Sequence, residues 1–419
     1  MRFALKTILP VAVLLLSSLS ARAAAPGLTM NPDLSVILDG YVYYDHFNAT
    51  DEDGAHVFSE IAGFEAGHHH EGEETHAHEP ADGFNWRHAE LNFSGSVDPF
   101  FKAWVIAAIS PEGAELEVAQ IETLELPLGL KVKTGKFFSD FGRLNAQHSH
   151  QWPFITAPMV NQLFFGHHGI NDLGLQVSYL AGLPFYLELG LEGFETGGEE
   201  NSLAYLGEPP LPKFNSPRTG VAWLKAGPDL GLEHSLLAGA SFIQGVRQEE
   251  HDGDENGAAD HWLSGWAQVA GADLVYKYDD PAPMGKNDIV VEAEYYVRHV
   301  RMQIYRHDLA AEMAGAYLQK LQDGLYAQAI YGLWPQWRIG LRFDHLGSLN
   351  RVEYPDGSAA TFDPTRRTTF MADWSFSEFS RLRWEGSYGE YALADGNVNG
   401  WSCGMQIDIS LGVHGAHKF

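Results

Sequence analysis

Along most of the chain, apolar and polar positions alternate with a period of two over strand-length runs. The clearest run is C-terminal. Met405, Ile407, Ile409, Leu411 and Val413 alternate with Gln406, Asp408, Ser410 and Gly412, and the same parity continues through Gly415 and His417 to Phe419. A strand carries the first set on one face and the second on the other. Three further stripes behave alike: Ala89, Leu91, Phe93, Gly95 and Val97; Ile289, Val291, Ala293, Tyr295 and Val297; Leu325, Ala327, Ala329, Tyr331 and Leu333. A fourth, Trp337, Ile339, Leu341 and Phe343, stands opposite Arg338, Arg342 and Asp344.

These runs predict sixteen strands, starting near residues 34, 84, 100, 115, 130, 170, 185, 219, 232, 261, 287, 324, 336, 366, 380 and 401. Short connections such as Asp98-Pro99, Pro127-Leu128-Gly129, Gly182-Leu183-Pro184, Gly227-Pro228-Asp229, Pro335-Gln336 and Ser377-Glu378 alternate with long ones at 47–83, 139–169, 196–217, 246–260, 304–323, 347–365 and 392–399. Backbone in hydrocarbon must be fully paired, so a membrane-spanning sheet has to close on itself. Its strands then read as weakly alternating segments of about ten residues joined by short turns on one side and longer loops on the other. The expected fold is all-β: a transmembrane antiparallel β-barrel of about sixteen strands, porin-like. The segment Asp308–Gln322 carries Leu309, Met313, Ala316, Tyr317 and Leu321 and reads as a short helix in an external loop.

Composition narrows the class. At 45% apolar and 20% charged residues the chain is not disordered, and beyond the first segment no apolar run is long enough for a membrane helix. A formal charge of −28 excludes a general nucleic-acid binder. The single cysteine, Cys403, excludes an internal disulfide framework. Residues 1–23 read as a cleaved signal peptide: Arg2 and Lys6, an apolar run from Ile8 to Leu16, then Ala21-Arg22-Ala23. Residues 24–419 are then the exported barrel, placed in the outer membrane of a Gram-negative cell with its lipid as partner. Aromatic residues such as Tyr41, Trp86, Trp104, Trp223, Trp337, Trp374 and Trp384 lie mostly near strand ends, and collectively fit the headgroup level that Tyr and Trp favour.

The candidate chemistry lies in two loops. The first, 47–83, carries His68, His69, His70, His76 and His78 among Glu71, Glu73, Glu74 and Glu79. Imidazoles interleaved with carboxylates ligate Zn²⁺, Ni²⁺ or Cu²⁺. The third external loop, 139–169, is rich in aromatic residues and proline, unlike a solvated tip. Folded into the bore it would form a constriction with Arg143, His148 and His150, and add His167 and His168 as further metal ligands. Positions of lumen parity carry both signs, Glu90, Glu122, Glu188, Glu192, Glu292, Glu294 and Glu385 against Arg87, Lys131, Lys133, Arg338, Arg342 and Arg383. The external loops are acidic, which favours cations. No G-x-S-x-G elbow, H-E-x-x-H pair or Walker loop is present, and Ser149 between two histidines is not a triad, so an enzyme is not expected.

The stretch Lys133-Thr134-Gly135-Lys136-Phe137-Phe138-Ser139-Asp140-Phe141-Gly142 resembles phosphate-selective porin O/P-like barrels. The block His148-Ser149-His150-Gln151-Trp152-Pro153-Phe154 and the ending Leu411 to Phe419 resemble a porin-like group often labelled zinc-regulated TonB-dependent outer-membrane receptors. Strands begin too early here for the plug of a TonB-dependent receptor. Arg143 is the only basic residue of the third loop, where a phosphate porin needs a basic eyelet. The resemblance implies an outer-membrane channel handed to the barrel assembly machinery and a homotrimer. Together with the loops it implies assisted entry of divalent metal ions, zinc first, with Zn²⁺ as cargo and no required cofactor. The alternative is a general or anion diffusion porin whose histidines are incidental.

Overall fold

The computed structural model describes residues 32–48, 57–58, 60–64, 81–111, 113–195, 203–206, 215–251, 261–307, 315–394 and 396–412. The strands are β1 (Asp33–Phe47), β2 (Gly83–Ser96), β3 (Phe101–Ser110), β4 (Gly113–Thr123), β5 (Leu130–Phe138), β6 (Asn171–Leu180), β7 (Tyr186–Phe194), β8 (Tyr205–Leu206) and β9 (Thr219–Gly227). They continue as β10 (His234–His251), β11 (His261–Tyr278), β12 (Ile289–His307), β13 (Tyr317–Trp334), β14 (Trp337–Glu353), β15 (Ala359–Thr361), β16 (Thr365–Ser377), β17 (Ser380–Leu393) and β18 (Gly396–Gly412). Pieces β8 and β15 are short ribbons laid against β10 and β14. The other sixteen are staves, each antiparallel to its chain neighbour. The sheet closes where β1 pairs with β18, from Ser35 opposite Gly412 to Phe47 opposite Gly400.

Closure removes every sheet edge, so one face can meet lipid. The period-two pattern decides which. Met405, Ile407 and Leu411 are exposed on the outer face of β18, whereas Gln406 and Ser410 are buried inside. Val291 and Tyr295 point out where Glu292 and Glu294 point in; Leu341 and Phe343 point out where Arg342 and Asp344 point in. Trp337, Trp374 and Trp384 stack on the outer face near the short-turn rim, with centroids 5.4 and 6.0 Å apart. The turns use local chemistry. Asp98 Oδ1 accepts from the Phe100 and Phe101 amides at 2.7 and 2.9 Å, and Leu128 and Gln336 take left-handed backbone at the tips of two others.

Two expectations are corrected. The stretch read as a helix at 308–322 is in its described part strand: Tyr317 to Gln322 belong to β13, where Gln303 pairs with Tyr317 and Arg298 with Gln322. Cross-strand pairing there overrides a helical spacing of apolar residues. The long loops at 246–260, 304–323, 347–365 and 392–399 are shorter than read. Strands β10 to β14 run 17 to 19 residues, and β17 meets β18 by Leu393 opposite Gly396. At roughly 3.3 Å per residue such a strand is about 60 Å long, more than an approximately 30 Å hydrocarbon layer requires even when tilted. Above the belt the alternation breaks down in β10, where the consecutive Arg247, Gln248 and Glu249 are all buried, so the sequence pattern stops before the strand does.

The bore is filled unevenly. Toward the loop rim, Phe47, Val57, Ile61 and Phe64 pack with Phe141, Met159, Val160, Phe164 and Phe165 of the third loop. Behind them stand Tyr296, Val300, Tyr326 and Leu346 of the wall. Toward the turn rim lies a cavity of about 960 Å³ on the β1–β10 side.

An arginine placed on the lipid face reports the belt directly. Ile407→Arg should destabilise the barrel by about 2–4 kcal/mol, and Leu411→Arg, nearer the turn rim, by about 0–1 kcal/mol, in urea unfolding from phospholipid vesicles. Equal losses at both positions would contradict this placement.

Candidate functional site

The third loop leaves β5 at Ser139, whose hydroxyl donates to the Glu192 carboxylate. It turns at Gly142, which has φ +63°; a Cβ there would run into Tyr296 and Glu294. From that point the wall holds its backbone by charged side chains. The Arg143 amide donates to Glu294. The Ile155 amide donates to Glu385 Oε2 at 2.6 Å, and Arg87 Nη2 donates to the Ile155 carbonyl at 2.7 Å. Arg342 Nη1 donates to the Thr156 carbonyl at 2.6 Å, and Arg367 Nη2 to the Ala157 carbonyl at 2.9 Å. The Met159 amide reaches Asp344 Oδ1 at 3.0 Å, opening the helix α1 (Met159–Phe165), and Arg298 Nη1 holds the Leu163 carbonyl at 2.8 Å. Asn145 ties the two roots together, donating to the Ser139 and Ile170 carbonyls and accepting from the Ile170 amide. The loop therefore runs round the inside of the barrel.

Three of these arginines, and Arg338 beside them, are also spent on acidic neighbours. Arg342 and Arg367 share Asp344, Arg338 grips Asp373, and Arg87 meets Asp39 at 3.0 Å. These four guanidinium groups are therefore engaged, while Arg383 of β17, bonded to Gln406 through Nη1, leaves Nε and Nη2 without a hydrogen bond.

Opposite Arg342 and Arg367, a cluster of imidazoles and carboxylates gathers between the loop and strands β2 and β4. A 3₁₀ turn, Ser149–Gln151, sets His148 and His150 side by side, with ring centroids 5.8 Å apart. His148 Nδ1 is 3.1 Å from Glu117 Oε2 and 3.4 Å from Glu90 Oε2. His150 Nδ1 is 3.1 Å from Glu90 Oε2, and His88 Nε2 is 4.0 Å from the same atom. Burial alone would push His148 below the usual imidazole range; the Glu117 and Glu90 carboxylates reverse this and raise it to about 9. Near neutral pH and without a competing ligand, that ring carries a proton.

Two β-bulges build the cluster. The β1–β2 register slips between Asp39 and Gly40, which brings Arg87 and His88 both to the lumen. The β3–β4 register slips between Ile106 and Ala107, which turns Glu117 inward beside Val118. A bulge re-aims one side chain without breaking the sheet.

Of the residues singled out from sequence, His148, His150 and Arg143 line the cavity, and Arg143 Nε stands 3.6 Å from Glu292. His168, part exposed nearer the loop rim, has Nδ1 3.6 Å from Glu115 Oε2, a carboxylate that also meets Lys136. His167 is half-buried beside it. His68, His69, His70, His76 and His78 lie outside the described residues, as do the signal segment 1–23 and the last residues 413–419. Glu117 and His88 were not singled out. Strict alternation hides them, because each sits at or beside a bulge.

No family model matches the chain. An "Uncharacterized protein" of Aquifex aeolicus (strain VF5) is 31% identical over 402 residues, 93% of this chain and 80% of that protein. The chain belongs to the family of that Aquifex protein. Solved structures give the architecture. The outer membrane channel DcaP of Acinetobacter baumannii has a TM-score of 0.54 over 94% of this chain and 99% of its own, at 13% identity. The loop L8 deletion mutant of OmpT, an outer membrane protein of Vibrio cholerae, scores 0.52 over 90% and 99%, at 12% identity. The trimer form of that OmpT scores 0.51 at 12% identity. These likenesses establish a porin-type barrel for this Aquifex-family chain.

If charged wall groups hold the loop, removing one should release it. Arg342→Ala removes the nearer of the two guanidinium partners of Asp344 and the donor to the Thr156 carbonyl, and should cost about 3–5 kcal/mol. It should also open the third loop to protease. Arg351→Ala, on the same strand but paired with Glu353 at the surface, should cost less than about 1 kcal/mol. Equal sensitivity of the two variants would overturn the anchoring role.

Proposed function

We propose that the protein is a diffusion channel of the outer membrane that favours cations and admits divalent metal ions. One observation carries this reading: a file of carboxylates and imidazoles that follows β4 through the barrel. It starts at Glu115 with His168 near the loop rim and passes through Glu117, His148, Glu90 and His150. It ends among Gln120, Glu122 and Glu188 in the lower cavity. Acidic groups along a path raise the local concentration of cations.

The cavity supports the same sign. Its carboxylates are Asp33, Glu90, Glu122, Asp140, Glu188, Asp229 and Asp273; its fixed cations are Lys102, Lys131, Lys133, Arg143 and Lys225. Several of the cations are engaged, Lys133 with Asp140 at 3.0 Å and Lys131 near Glu122. The anion-porin alternative needs free guanidinium groups at the narrowing, and Arg87, Arg342 and Arg367 are committed to loop carbonyls and aspartates. The porin-type fold supports an outer-membrane setting and export through the signal segment. The trimer form of Vibrio cholerae OmpT supports the homotrimer expected from the sequence.

The chain folded into a planar lipid bilayer under a potassium chloride gradient should give stepwise conductance with a reversal potential of cationic sign. Glu122→Gln combined with Glu188→Gln should move that potential toward zero. A reversal potential of anionic sign, or no conductance steps, would sink this reading.

A further inference from the structure

Strands β2 and β4 hold Glu90 and Glu117, and the third loop brings His148 and His150 against them, with His88 one bulge away. Several polar atoms converge here without being satisfied. Glu90, His150 and His88 are 1%, 6% and 8% exposed, and Glu90 Oε2, His150 Nδ1 and His88 Nε2 have no hydrogen bond of acceptable geometry. All three crowd one point, His150 Nδ1 at 3.1 Å and His88 Nε2 at 4.0 Å from Glu90 Oε2. An imidazole nitrogen and two carboxylates, those of His148, Glu90 and Glu117, place ligand atoms within 4.8 Å of one another. Buried polar atoms left unpaired are rare and call for a missing partner.

We propose that Glu90, Glu117, His148 and His150, with His88 as a fifth contact, bind one divalent transition-metal ion of the zinc, nickel or copper class. Ligands about 2.0–2.2 Å from a tetrahedral ion lie roughly 3.3–3.6 Å from each other; the nitrogen–oxygen separations here are 3.1, 3.4, 3.1 and 4.0 Å, so small side-chain adjustments of His150 and His88 complete the shell around Glu90, Glu117 and His148. The donor set fits too. Mixed imidazole and carboxylate ligands select borderline metals, whereas calcium and magnesium prefer all-oxygen sites. Two carboxylates match the charge of a divalent ion. Glu90, His148 and His150 also line the cavity, which gives an ion access. Because its ligands come from two strands and from the third loop, the bound ion also pins that loop to the wall. The inference rests on the channel reading only for the route by which the ion arrives.

The test is titration of the full folded chain in detergent with zinc chloride, in a background where His68, His69, His70, His76 and His78 are replaced by Ser so that the first loop is silent. Saturable binding of one Zn²⁺ is expected, displaced by Ni²⁺ but not by Mg²⁺ or Ca²⁺. The pair His148→Gln and His150→Gln should weaken it by about 100-fold or more. Should that pair fail to form a heat-modifiable barrel, Glu117→Gln, on a rigid strand, must lower the affinity in its place. Co²⁺ gives an independent readout, visible absorption bands that these variants abolish. Absence of saturable binding, or affinity unchanged in the variants, overturns the site. Conductance measured on the same preparations keeps the two readings apart. Zinc binding without conductance supports the site and overturns the channel; conductance with no saturable zinc binding does the reverse.

Discussion

The arrangement of this barrel depends on charged side chains of the wall holding the backbone of one loop. A loop cannot enter a bore cheaply, because its amides and carbonyls lose water without gaining the partners that a helix or sheet supplies. Here the wall supplies them. Glu294 and Glu385 accept from amides; Arg87, Arg298, Arg342 and Arg367 donate to carbonyls. Charge-assisted bonds of this kind are stronger than neutral ones, and a planar guanidinium can bind an aspartate and a carbonyl together. With the loop fixed, Phe141, Phe164 and Phe165 have a place to pack, and His148 and His150 have a fixed position opposite Glu90.

This also explains why the lumen is not simply a basic or an acidic tube. The inward arginines Arg338, Arg342 and Arg367 on β14 and β16 each have an aspartate within reach, Asp344 or Asp373, and Arg342 and Arg367 also hold the loop. On the other side, among the described residues, Glu90, His88 and His150 carry buried atoms without hydrogen bonds beside the Glu117–His148 pair. The division of labour follows from where the bulges fall, one in β2 and one in β4.

Much of the wall was legible in the sequence, since an outward Leu341 next to an inward Arg342 needs only the pleat and a membrane. Glu292, Glu294 and Arg383 could be placed inside from parity alone. The pattern failed where geometry departs from strict alternation. Glu117 sits at a bulge, and His88 follows one. Tyr317 to Gln322 carry a helical spacing, yet ladder pairing holds them extended. The pairing of His148 and His150 with Glu90 is a contact between residues some sixty positions apart, and no local signal encodes it.

The uneven filling of the bore has a directional consequence. Among the described residues, rings and aliphatic chains fill the bore against β5, β7 and β9 to β14 and reach β1, β17 and β18, but take nothing from β2, β3 or β4, and water does not persist in such a space. Ionic current would therefore run off-centre, hugging the seam between β4 and the loop instead of the barrel axis. In such an eccentric conduit only a narrow strip of the wall sets the electrical signature, and charge substitutions on the far side are nearly silent to it.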